Sequence, residues 1–170
     1  MRIITAPEDI STNTEEISVF LAGGIQNTED WQKQVIKALE QDFKDLPIVL
    51  YNPRRENFPI HDKGAAKVQI TWEYEALEVA DIFSMYYAGN TISAQPICMF
   101  EYGKHLERRY ANNDLNRLVV SAEPSYSRFQ DVIIQTALVS KNIKVGTTLS
   151  EHINSLKLAI RESLIAKRLV

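Results

Sequence analysis

Ser18-Val19-Phe20-Leu21-Ala22-Gly23-Gly24, with the segment from Glu29 to Phe43 behind it, is the stretch on which the fold turns. A short apolar run bounded by glycine reads as a strand buried on both faces. Beyond it, Trp31, Val35, Ala38, Leu39 and Phe43 recur at intervals of three and four. That spacing predicts a helix with one apolar face. The unit is strand, glycine turn, helix.

Working outward, the same unit repeats. Ile48 to Tyr51 reads as a second strand, followed by a loop from Asn52-Pro53-Arg54-Arg55 to Gly64 and a helix over roughly Lys67 to Val79. Ile82 to Tyr87 is a third strand, Ala88 to Ser93 a turn, and Gln95 to Arg109 a third helix with Pro96 in its first turn, where a missing N–H costs nothing. Leu118-Val119-Val120 is a fourth strand and Ser125 to Val139 a fourth helix, with Phe129, Val132, Ile133 and Thr136 on one face. Ile143-Lys144-Val145 is a short fifth strand, and the last helix begins near Ser150 or Glu151. Residues 1–16, rich in Thr, Glu and Asn, read as a mobile lead-in or an edge element.

Five strands alternating with five helices predict an α/β fold, a three-layer α/β/α sandwich around a five-stranded, mostly parallel sheet. Counting from the Ser18 strand, the expected order is 2-1-3-4-5. The chains leaving the first and third strands then diverge to opposite faces and open a crevice at their carboxyl ends, where ligands bind.

Composition narrows the function. With 45% hydrophobic and 24% charged residues in 170, the chain is an ordinary globular one that forms a single domain over 1–170 rather than a disordered tail. A formal charge of -3 with both signs interspersed argues against a long nucleic acid or an anionic membrane as partner. The single Cys98 excludes an internal disulfide, no secretion signal is evident, and no apolar run approaches ~18 residues. A soluble, cytoplasmic protein is expected. There is no GxGxxG or GxxxxGK[ST] fingerprint, and His61, His105 and His152 stand in no metal-ligand spacing, so neither cofactor nor metal is expected.

Candidate site residues follow from placement. Gly23-Gly24 lets backbone N–H groups approach a ligand just before a helix N-terminus, although a tight strand-to-helix turn needs the same two residues. Asn52, Arg54 and Arg55 sit at a strand's carboxyl end, where guanidinium groups hold a phosphate or a base carbonyl; adjacent loop arginines also serve as a solvated surface pair. Glu73 reaches the crevice only if its end of the helix faces it, while Glu75 and Glu78 read as solvated charges. Glu101 lies inside Ile97-Cys98-Met99-Phe100-Glu101-Tyr102-Gly103, where an unpartnered carboxylate is costly to bury. Such a group acts as nucleophile or proton carrier, unless it sits on the outer helix face beside Lys104 and His105. Cys98 reads as helix packing.

Taken in order, Phe20-Leu21-Ala22-Gly23-Gly24-Ile25 with Asp30-Trp31, Asn52-Pro53-Arg54-Arg55, Gln69-Ile70-Thr71-Trp72-Glu73 with Ala80-Asp81, and Ile92-Ser93 with Phe100-Glu101-Tyr102-Gly103 resemble the nucleoside 2-deoxyribosyltransferase-like family. The likeness covers about two thirds of the chain. It implies a flavodoxin-like domain in which a helix glutamate, matched by Glu101, attacks the anomeric carbon of a nucleoside or nucleotide and releases the base. Water or a second base then resolves the covalent glycosyl-glutamate. The resemblance makes Glu73 the acidic group handling the base or its proton. It also makes Gly23, Gly24, Trp31, Asn52, Arg54, Ser93 and Gln95 the substrate-binding set, and it implies a homo-oligomer. Two departures stand out: Phe20 occupies a position where transferases often carry tyrosine, and Gln95 one that carries aspartate. They motivate an alternative, a module that binds a nucleotide-derived ligand in the same crevice without turnover.

Overall fold

A computed structural model describes residues 1–59, 61–91 and 93–169 of the chain. Ile92, part of one of the motifs above, lies outside the described residues. Four of the expected strands and the five expected helices form near the expected places. The central strand β2, Ile17–Gly23, is buried along its whole length, as a strand covered on both faces must be. In chain order the other strands are β1 Arg2–Thr5, β3 Ile48–Asn52, β4 Ile82–Tyr87 and β5 Leu118–Ala122. The helices are α1 Trp31–Phe43, α2 Ala65–Val79, α3 Pro96–Ala111, α4 Phe129–Val139 and α5 Leu149–Ala166. The Asp30 carboxylate caps α1 by accepting the Lys33 N–H at 2.9 Å, which relieves one of the unpaired donors of the first turn.

All pairings are parallel, in the order β1-β3-β2-β4-β5. The four strands read from Ser18, Ile48, Ile82 and Leu118 therefore stand in the anticipated relation, and the flavodoxin-like sandwich is the fold. The fifth strand is at the other edge. Residues 2–5 of the lead-in pair with β3, and Arg2 is drawn back onto Glu16 through an ion pair of 2.6 Å. The segment Ile143-Lys144-Val145 forms no strand: Gly146 alone makes a parallel bridge to Ser121, donating to Val120 O and accepting from Ala122 N. A stretch that short has room for one rung and no ladder.

The alternation of strand side chains sorts two cores. Phe20, Ala22, Phe83, Met85 and Tyr87 face the α2, α3 and α4 layer, meeting Trp72, Ala76, Tyr102, Leu106 and Val132. Val19, Leu21, Leu50 and Ile82 face α1 and α5, meeting Val35, Leu39, Phe43, Leu156 and Ile160. Each large side chain removed from water in this way contributes roughly 1.5–3 kcal/mol. No helix among the described residues is long and apolar enough to cross a membrane.

One polar group is embedded in the second layer. His152 of α5 is fully buried, with Nε2 2.8 Å from Ser84 Oγ on β4 and Nδ1 3.0 Å from Ser121 Oγ on β5. Burial drives its pKa down to about 3, so the folded chain holds it neutral. The unfolded chain protonates it below about 6.5. Its contribution is therefore complete above that pH and is lost as pH falls from there toward 3. Denaturant titrations at pH 7.5 and 4.5 should show the wild type losing more stability than His152→Gln, by up to about 1.4 kcal/mol per pH unit. Equal losses in the two proteins would contradict this.

Candidate functional site

Since β2 and β4 are neighbours and their following helices lie on opposite faces, the sheet is open where they part. On the side of α2 and α3 this opening is a cavity of about 630 Å³, a size that suits a small organic ligand. Phe20 and Ala22 of β2 form its floor and the turn from Gly23 to Gln26 closes one end. From α2 come Ile70, Glu73, Tyr74 and Leu77; from α3 and its lead-in come Ser93, Gln95, Pro96, Ile97, Cys98, Phe100, Glu101, Lys104 and His105. Pro53 is added from the loop after β3.

The glycine turn is dictated by contact. Gly23 has φ of 150°, and a Cβ there would overlap the Tyr86 carbonyl oxygen of β4 and lie 2.6 Å from the Trp31 ring. Gly24 donates its N–H to Gln95 Oε1 at 2.9 Å, and its carbonyl accepts from Trp31 Nε1 at 3.1 Å and Thr28 Oγ1 at 2.8 Å. The Gly24 amide is thus engaged within the protein rather than offered to a ligand as the sequence suggests. Gln95 is a buried strut. Its Nε2 donates to Ala88 O at 3.3 Å, its backbone N–H reaches Ser93 Oγ at 3.2 Å, and its own φ is 48°. Only a side chain with both an acceptor and a donor joins Gly24 N–H to Ala88 C=O, which accounts for an amide where a carboxylate would only accept.

Two carboxyl groups line the cavity. Burial raises the Glu101 pKa to about 8, the charge of Glu73 adds to the rise, and Lys104 opposes it. Glu73 is raised by burial as well, against the pull of a 2.8 Å hydrogen bond from Gln69 Nε2. The outer-face reading of Glu101 is thereby corrected: Lys104 beside it reaches across to Glu78 at 2.6 Å, while Glu101 turns to the cavity. Glu78, expected as a free solvated charge, also pairs with Arg108 at 2.9 Å. Burial and the two glutamates push the Cys98 thiol up to about 12, which keeps it protonated and inert. His105 is 2% exposed, stacked on Phe83 at 4.6 Å, and held neutral by burial with a pKa of about 4.

Of the expected binding residues, Gly23, Gly24, Ser93 and Gln95 stand at the cavity and Trp31, Asn52 and Arg54 stand behind it. Arg54 clamps the turn that leads into α1. Its guanidinium donates to Thr28 Oγ1 at 2.7 Å, Glu29 O at 3.0 Å, Ile25 O at 3.1 Å and Gln32 Oε1 at 3.0 Å. With those donors engaged it shapes the wall rather than meeting a phosphate. Asn52 Oδ1 accepts from the Arg54 N–H at 3.1 Å, and Trp31, 2% exposed, packs on Tyr86. Sequence reasoning missed the apolar walls. Ile70, Tyr74, Ile97 and Phe100 are 65%, 57%, 64% and 72% exposed around the mouth, yet their helical spacing is that of any core stripe. It also missed Gln69, for which the i,i+4 spacing to Glu73 was an available signal.

The glycines give a graded test. Gly23→Ala forces backbone against backbone and should cost several kcal/mol, roughly the scale of the severest single substitutions. Gly103→Ala, in open space within α3, should stabilise by about 0.5–1 kcal/mol. Equilibrium unfolding of both variants checks the order; equal effects would refute the close-contact reading of Gly23.

Comparison with curated proteins finds no match to this chain. Residues 16–122 match the family described as nucleoside 2-deoxyribosyltransferase like, a span that runs from β2 through β5 and holds the glycine turn, Glu73, Gln95 and Glu101. With more than half of its length matched, including every element that walls the cavity, the chain belongs to the nucleoside 2-deoxyribosyltransferase-like family.

Proposed function

We propose that the cavity binds a nucleoside or nucleotide and that Glu101 cleaves its N-glycosidic bond. The observation that carries this reading is the convergence of two carboxyl groups with raised pKa values in one apolar, nucleoside-sized cavity at the point where β2 and β4 diverge. A Glu101 carboxylate oxygen attacks the anomeric carbon as the bond to the base nitrogen breaks. The bonding pair stays on the base, and Glu73 supplies the proton that neutralises it. Water or a second base then displaces Glu101 from the sugar, with two inversions giving net retention. The exposed apolar rim of Ile70, Tyr74, Ile97 and Phe100 supports association with a further copy of the chain, which would shield the sugar from bulk water.

The test is release of free base from a panel of nucleosides and nucleoside monophosphates. Glu101→Gln should lose at least about 10³-fold in rate, and wild-type activity in that variant would remove Glu101 from the nucleophile role. Because the step needs Glu101 ionised and a proton still on Glu73, kcat/KM should fall about tenfold per pH unit above about 8, where the pair loses its last proton; a rate that stays level at high pH would remove Glu73 as the proton donor.

A second reading, binding without turnover, draws support from Gln95, whose amide is occupied between Gly24 and Ala88 where a sugar hydroxyl would otherwise find it. Thermal stabilisation by a nucleotide that is recovered unchanged after long incubation would favour it.

A further inference from the structure

Gln69 stands on α2 one turn before Glu73, and its Nε2 makes two hydrogen bonds of 2.8 Å, to the Pro53 carbonyl and to Glu73 Oε1. The Pro53 carbonyl is an acceptor only, so the amide must present its NH2 to it. Turned the other way, the amide oxygen would face that carbonyl oxygen. The orientation is therefore decided by the loop that follows β3, and the consequence is delivered on α2: Glu73 always meets a donor. The amide oxygen, Gln69 Oε1, is left buried with no partner among the described residues, which only a firmly imposed orientation tolerates.

We infer that Gln69 is the positioning residue of this site, pinned by Pro53 so that its N–H fixes one oxygen of the Glu73 carboxyl and favours that group's charged form against the effect of burial, in the cavity it shares with Glu101. The inference rests on the catalytic reading for its functional meaning, though not for its geometry. The other titratable groups on the cavity walls are Tyr74 of α2 and, from α3, Cys98, held as the neutral thiol, Glu101, Lys104, which is tied to Glu78, and the neutral His105. The strand floor contributes Phe20 and Ala22, which carry no charge. Gln69 is thus the direct donor to Glu73, and a charged Glu73 in turn keeps the proton on Glu101. For the step proposed above, the one proton the pair shares must pass to Glu73, from which the base takes it, and this leaves Glu101 ionised to attack.

Two NMR measurements test the assignment, neither of which needs turnover. In the wild type, the Gln69 side-chain amide protons should shift through the pH range with the same midpoint as the Glu73 carboxyl carbon; amide resonances that stay flat while Glu73 titrates would overturn the inference. In Gln69→Leu, the Glu73 midpoint should rise by roughly half to one pH unit while the Glu101 midpoint falls, because a neutral Glu73 no longer opposes ionisation of its neighbour. Unmoved midpoints in a folded variant would overturn it equally, and if the variant does not fold the wild-type measurement decides alone. Base release separates this from the function proposed above. Co-titration without any base release removes the enzyme and keeps the positioning residue, whereas base release with a flat Gln69 signal does the reverse.

Discussion

The close approach of β2 to β4 at their carboxyl ends governs everything built above them. Gly23 lies against the Tyr86 carbonyl and the Trp31 ring, and Gln95 ties Gly24 to Ala88 a residue further on. This contact sets where the chain leaves β2 for α1 and where α3 begins, so it determines the position of Glu101 one and a half turns into that helix. Any side chain at Gly23 would separate the two strands, and the cavity floor of Phe20 and Ala22 would move with them. Arg54 works to the same end from the outside, gathering three carbonyls and a hydroxyl of the turn into one guanidinium. A planar fork with five donors suits that task, which a single ammonium would not fulfil.

Proton affinities at this site depend on withholding solvent. Neither Glu101 nor Glu73 has a basic side chain as a hydrogen-bond partner among the described residues, and burial is the first cause of the rise in both pKa values. A pair of carboxyls in such surroundings differs in proton affinity through small asymmetries, here the Gln69 amide on one side and Lys104 on the other. Environment, rather than residue type, sets the two glutamates apart. The layer on the far side of the sheet illustrates the opposite use of the same principle, since His152 is kept neutral and fully hydrogen-bonded between two serines and serves packing.

The sequence made most of the architecture legible because buried parallel strands and amphipathic helices leave periodic signals that short windows contain. It placed the helices within a few residues and the order of the central strands, and it singled out Glu101 because a carboxylate amid apolar residues needs an explanation. It misjudged one edge of the sheet, expecting a strand at 143–145, and left residues 1–16 open between a lead-in and an edge element. Residues 2–5 and 143–145 are stretches of four and three residues, and which of them gains a partner depends on what lies beside them in space. It also treated Arg54, Asn52 and Trp31 as ligand contacts, since a residue just after β3 or at the start of α1 looks the same whether it faces the cavity or the back of its wall.

By itself, then, the chain determined the strand–turn–helix repeat, the glycine turn and the identity of the groups available for acid–base work, all of which are local properties of composition and spacing. Tertiary structure alone decided which of those groups share a cavity, which of their donors are already engaged, and what proton affinity burial confers on each. Those are long-range matters: Gly24 meets Gln95 across 71 residues of sequence and Trp72 donates to Glu8 across 64, separations over which no periodicity carries information.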